Sequence, residues 1–192
     1  MYKSARNFNL NIIWTIIGLC AIATIARYVN PNLISLLGLS GASFPDQPWA
    51  IITNLFVHAN LWHLIVNMIA LYFFGSSLGR LVGESRFLLV YFGGGILGNI
   101  LYLLLGSPFI PAVGASGAIF ALGGALAMLR PKLPVLVFPI PAPIPLWIAV
   151  IGSFVILTFI PSVAWQAHLG GLIVGLIAGY FFRRRERRSY YR

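Results

Sequence analysis

Residues 114–130 read GASGAIFALGGALAMLR, a run of glycine and apolar residues that opens around one serine, Ser116, and closes on one cation, Arg130. At a rise of about 1.5 Å per residue the run is short for a hydrocarbon layer about 30 Å thick. Pro108 and Pro111 stand just ahead of it. The chain is therefore expected to enter the apolar layer as an irregular loop and to begin a short fourth helix near Ser116, below one face. Irregular backbone at that depth needs cover from protein or from a water-filled cavity.

Working outward, five more apolar stretches surround this one, at about 10–29, 60–79, 87–106, 145–161 and 165–182. Of 192 residues 59% are hydrophobic and 16 are charged, well under the roughly 25% charged residues of a soluble domain. The expected fold is an all-α membrane protein, one domain over residues 1–192, with six transmembrane helices. Drawn this way, twelve of the thirteen Lys and Arg fall on one side and only Arg27 on the other. Such asymmetry puts both termini in the cytoplasm. An odd number of spans would strand one basic terminus outside.

The net charge of +10 does not indicate a nucleic-acid partner, because six of the thirteen cations lie in the run Arg183–Arg192 beside the last span. A basic cytoplasmic tail of that kind, residues 183–192, orients a span or meets anionic lipid of the bilayer. Cys20 is the sole cysteine, so no internal disulfide forms. Lys3 and Arg6 before an apolar run imitate a signal peptide, but no small-x-small site follows, and an uncleaved first span is expected. Residues 30–59 form a long loop on the outer side, expected to build its own structure in the interface. The stretch Pro131–Pro145 holds six prolines and cannot be a regular helix interior. It is expected to lie along the cytoplasmic interface.

Polar groups inside the apolar stretches carry the chemistry. Ser116, His168 and Asn67 lie 14, 15 and 13 residues before Arg130, Arg183 and Arg80. That puts all three roughly 20–22 Å above the basic face, in one layer. A hydroxyl, an imidazole and a carboxamide at one depth are the parts of a nucleophile, a base and an oxyanion donor. Gly114-Ala115-Ser116-Gly117 leaves room around the hydroxyl, and free N–H groups at a helix start point toward a developing oxyanion. A serine there is also an ordinary N-cap, and in a chain with 20 glycines the pattern alone says little. His168 adds weight, since an ionisable group inside a span is costly. His168, Gly171, Gly175 and Gly179 share one helix face, and Ser116, Phe120, Gly123, Gly124 and Ala127 are expected to form the face that meets it. His63 and Asn67, four apart, point from one face as two stacked donors.

A zinc site of His58, His63 and His168 is the rival, but helical rise would put His58 roughly 14 Å above His168. No metal and no cofactor are expected. Asp46, Glu84 and Glu186 fall in loops or the tail, so a Ser–His–Asp triad is excluded on this topology and a dyad remains.

At these residues the chain resembles the rhomboid family of intramembrane serine proteases: His58-x4-His63-x3-Asn67, Gly114-x-Ser116-Gly117 and Ala167-His168-x2-Gly171-x3-Gly175. The resemblance implies Ser116 as nucleophile, His168 as general base, and His63, Asn67 and the Ser116 amide as oxyanion hole. It implies a structural role for His58 near the outer rim. It also implies cleavage of single-span membrane proteins near the outer part of their helix, without a cofactor. Two positions depart from the family's habit: Trp49 precedes Ala50 rather than Arg, and Phe120 stands where Tyr often stacks beneath the histidine. A non-proteolytic helix-binding relative is the alternative, though such relatives characteristically lack Ser or His. A small transporter would need polar residues along a whole path, and here they cluster in the outer half. The chain is expected in a cell membrane, a prokaryotic plasma membrane on size, with its site opening outward.

Overall fold

The computed structural model describes residues 8–137 and 139–190, with side chains through Glu186 at the C-terminal end. The expected termini, including Lys3, Arg6 and Arg192, lie outside the described residues. Helix α1 (Asn11–Val29) is followed by two short helices, α2 (Leu33–Leu37) and α3 (Ala50–Thr53). Then come α4 (Leu61–Val82), α5 (Glu84–Leu105) and α6 (Ser116–Leu129). A two-residue ribbon follows, β1 (Pro134–Val135) antiparallel to β2 (Ile144–Pro145), and then α7 (Leu146–Thr158) and α8 (Trp165–Tyr190). Among the described residues four helices, α1, α4, α5 and α8, are long and apolar enough to cross a membrane, while α6 and α7 are shorter and apolar.

The ends of these helices follow from local chemistry. Asn60 caps α4, its side-chain oxygen accepting the His63 N–H at 2.8 Å. Gly83, at φ +90°, is the only residue between α4 and α5. The span boundaries expected near 79 and 87 are corrected here: a positive φ reverses the chain in one residue, so Arg80 and Arg86 sit on helices rather than in a loop. Pro131 stops α6 after Arg130, and Pro145 opens α7. The basic run read as a tail continues α8 to Tyr190, since it contains no breaker and Arg and Glu favour helix. Its Glu186 meets the Arg130 guanidinium at 3.2 Å.

The centre of the bundle is α6, buried on nearly all sides by α4, α5, α7 and α8. Lipid tails are as apolar as leucine, so apolar contact alone does not draw helices together in a membrane; close packing does. Glycine supplies the closeness. A Cβ on Gly171 would collide with the Gly117 carbonyl, one on Gly175 with the Ala121 carbonyl, and one on Gly179 would lie 2.7 Å from the Ala125 carbonyl oxygen. The stripe of α6 that α8 touches is therefore Gly117–Ala121–Ala125. This corrects the expected Gly123–Ala127 face: Gly123 looks toward Val150 and Phe74, though Gly124 does face Leu172. Backbones touch along the stripe one residue beyond Ser116, and the Ser116 and Phe120 side chains flank it.

The long loop before α4 is anchored without an arginine after Trp49. The Trp49 indole N–H donates to the Leu36 carbonyl and the Thr53 hydroxyl to the Leu37 carbonyl, both at 2.9 Å. Leu39 exchanges backbone hydrogen bonds with Ala112, at 2.8 and 2.9 Å, which ties the loop to the approach of α6.

Candidate active site

Ser116 is the first residue of α6 and His168 lies one turn into α8. His168 Nε2 and Ser116 Oγ are 2.7 Å apart. Serine and histidine from segments 52 residues apart thus meet where the glycine stripe presses α8 onto α6. His168 is buried, whereas Ser116 is partly open. The Phe120 ring lies 4.6 Å from the imidazole, centroid to centroid and tilted by 31°. His168 Nδ1 has no protein hydrogen-bond partner among the described residues. The ring is held by Phe120 and by the walls around it rather than by a carboxylate, and Glu186 is engaged with Arg130 instead.

The turn before Ser116 is fixed by two hydrogen bonds. Gly114 adopts φ +116° and donates its N–H to the Asn54 carbonyl at 2.8 Å. Ala115 donates to His58 Nε2 at 3.3 Å. Because Nε2 accepts, the proton of a neutral His58 sits on Nδ1, facing the Thr24 hydroxyl at 3.4 Å. Burial first, and the neighbouring His63 second, hold the His58 pKa down to about 3, which keeps the ring neutral. Here the structure corrects the sequence. Residues 54–60 are not helical, so the height expected for His58 from helical rise does not hold, and the ring is fully buried against Ala115.

His63 and Asn67 do share a face of α4. The Asn67 amide donates to the His63 carbonyl at 2.8 Å, which leaves its second N–H uncommitted to that bond. Ala59 donates to His63 Nδ1 at 3.4 Å, so a neutral His63 carries its proton on Nε2. That nitrogen lies against Gly114, where a Cβ would come within 2.9 Å of it. Gly114 is thus required twice, by its φ and by the imidazole pressed on it. Gly117 is similarly confined, 3.0 Å separating a would-be Cβ from the Ala167 carbonyl oxygen. The His58 and His63 rings are 5.1 Å apart. Among the described residues no three His, Cys, Asp or Glu side chains group as metal ligands.

Sequence reasoning missed Thr24, Asn54 and Asn99. Asn99 had a signal of its own, a carboxamide within the apolar stretch 87–106 that must find partners there. Asn54 and Thr24 had none beyond their polarity.

The rhomboid domain model matches residues 45–185, which include every residue of this arrangement except Thr24. The chain belongs to the rhomboid family. It is similar to Rhomboid protein 1, mitochondrial, of Saccharomyces cerevisiae, 34% identical over 72% of this chain and 44% of the relative's length. It is equally identical, 34%, to YdcA of Bacillus subtilis over 74% of this chain and 71% of that protein. The rhomboid protease GluP of the same bacterium is 32% identical over 68% of this chain, which spans 25% of GluP. Apart from YdcA, then, these relatives are more than twice as long as the part this chain matches.

Proposed function

We propose that this rhomboid is an intramembrane serine endopeptidase that cleaves single-span membrane proteins in or near their transmembrane helix. The observation that carries the reading is the 2.7 Å approach of His168 Nε2 to Ser116 Oγ inside a bundle of apolar helices. Ser116 Oγ attacks the scissile carbonyl carbon as His168 Nε2 takes its proton. Negative charge gathers on the former carbonyl oxygen. The Ser116 N–H, at the uncapped start of α6, and the side-chain N–H groups of His63 and Asn67 are the donors for it. The imidazolium then passes its proton to the leaving amine, and an acyl-serine remains. Water, deprotonated by His168, hydrolyses that ester and frees Ser116. No metal or cofactor enters these steps.

The six apolar helices form one domain with six spans, the basic ends of α4, α6 and α8 toward the cytoplasm and the site opening to the other side. The short α6 then starts below the outer face, and a cavity above it admits water. A substrate helix hides its carbonyls in its own hydrogen bonds and has to unwind locally to offer one.

Fluorophosphonate labelling of the protein in lipid, with Ser116→Ala and His168→Ala beside it, tests the chemistry. The wild type is expected to label and both variants to stay dark. Equal labelling of all three would sink the dyad. A panel of single-span reporters, with products read by mass spectrometry, tests the substrate class. A chain that binds the reporters without cutting any of them would fit the helix-binding alternative.

A further inference from the structure

Apart from the groups assigned to the site, a pair of carboxamides is buried among the described residues: Asn54 and Asn99, each about 2% exposed. Asn54 ends α3 and Asn99 lies on α5. The Asn99 amide nitrogen donates to the Ile51 carbonyl at 2.7 Å and to Asn54 Oδ1 at 2.8 Å. The Asn54 amide nitrogen returns a bond to Asn99 Oδ1 at 2.9 Å. A backbone carbonyl can only accept, so Ile51 fixes which end of Asn99 is nitrogen, and the two remaining bonds then fix Asn54. In apolar surroundings an amide left unpaired is expensive, which locks this orientation.

The pair leads in one direction to the nucleophile. The Asn54 main-chain carbonyl accepts the Gly114 N–H, two residues before Ser116. The neighbouring residue of α5 leads to the base. A Cβ on Gly98 would strike the Ala167 carbonyl, and one on Gly170 would lie 2.7 Å from Gly98 Cα. Ala167 and Gly170 bracket His168 on α8. One turn of α5 therefore reaches the turn that carries the hydroxyl through Asn54 and touches the helix that carries the imidazole directly.

We infer that the Gly98–Asn99 turn is the common reference from which Ser116 and His168 take their spacing, with Asn99 a positioning residue that acts through Asn54 and Gly114. This rests on the catalytic roles proposed above for Ser116 and His168. A residue that merely supported the fold would behave differently. Replacing both members of a buried polar pair by apolar groups of similar shape can leave stability nearly unchanged. A displacement of about 1 Å at reacting atoms can cost about a hundredfold in rate.

The test is the double variant Asn54→Leu/Asn99→Leu in lipid vesicles with a cleaved single-span reporter. The single variant Asn99→Ser, which keeps a small donor for Ile51, stands beside it. kcat is counted per active site titrated to completion with a fluorophosphonate, so that an unfolded fraction drops out. The expected result is a fall in kcat of roughly 10- to 100-fold for the double variant, with KM within about twofold of wild type. Asn99→Ser is expected to lose less. Wild-type kcat per titrated site in both variants, or a rise in KM with kcat intact, would overturn the inference. Ser116→Ala runs in the same assay: residual cleavage by it would refute the catalytic reading instead, so the two failures are told apart.

Discussion

The substitution Gly114→Ala tests how tightly the turn before Ser116 is built. The new Cβ would lie 2.7 Å from His63 Cε1 and 2.9 Å from Nε2, where ordinary contacts begin at 3.4 Å. The ring or the turn has to yield by several tenths of an ångström to relieve both contacts. A shift approaching 1 Å costs about 10²-fold in rate, and complete loss of an oxyanion donor about 10²–10³-fold. kcat is therefore expected to fall about a hundredfold, or about 2.7 kcal/mol of transition-state stabilisation, with KM little changed. Separately, φ +116° in an alanine adds strain on the order of 1–3 kcal/mol to the folded state. Cleavage kinetics of a single-span reporter read the first effect and thermal unfolding in detergent reads the second. The decisive comparison is the double variant with His63→Ala. If the methyl acts by displacing His63, it costs little more in kcat once the ring is gone. Two losses that simply add, or wild-type kcat in a folded Gly114→Ala, would refute the reasoning.

Three further outcomes follow from the same geometry. Gly171→Ala puts a methyl into the Gly117 carbonyl; it is expected to push α8 from α6, abolish serine labelling and lower thermal stability, whereas Gly152→Ala, which meets open space, leaves both unchanged. Phe120→Leu keeps apolar bulk but removes the ring 4.6 Å from His168; kcat is expected to drop about tenfold, with Phe120→Tyr near wild type, by steady-state cleavage. For His58 the folded pKa of about 3 lies below the ordinary imidazole value of 6.5, so the unfolded chain binds the extra proton between those values. Stability is thus full above about pH 6.5 and is lost as pH falls toward 3, by on the order of a few kcal/mol, and denaturation midpoints of wild type and His58→Gln against pH should converge in acid.

Much of this architecture is written in the order of residues, and the parts that are not have identifiable causes. Each of the six apolar stretches holds one helix, because apolar length and proline breaks act locally. Ser116 was legible as the start of α6 for the same reason, with Pro111 and Gly114 ahead of it. The facing of α8 toward α6 was legible from the spacing of Gly171, Gly175 and Gly179. Which stripe of α6 they would press on was not, since several small residues offer themselves and only three-dimensional contact chooses Gly117, Ala121 and Ala125. His58 was misjudged because counting residues along a helix fails where the chain leaves the helix. Asn54 and Asn99 could not be paired at all, as two amides 45 residues apart leave no trace of their partnership in a single sequence.

The lone glycine at 83 makes α4 and α5 a clocked pair. With one residue between them, an insertion there has almost no slack to disappear into and must be absorbed as rotation, about 100° for each added residue. Such a turn would swing Asn99 out of the interior and carry Gly98 off its neighbour. Natural or engineered length variation in this scaffold should accordingly gather between β1 and β2, where an insertion leaves the Pro134–Pro145 and Val135–Ile144 pairing in place.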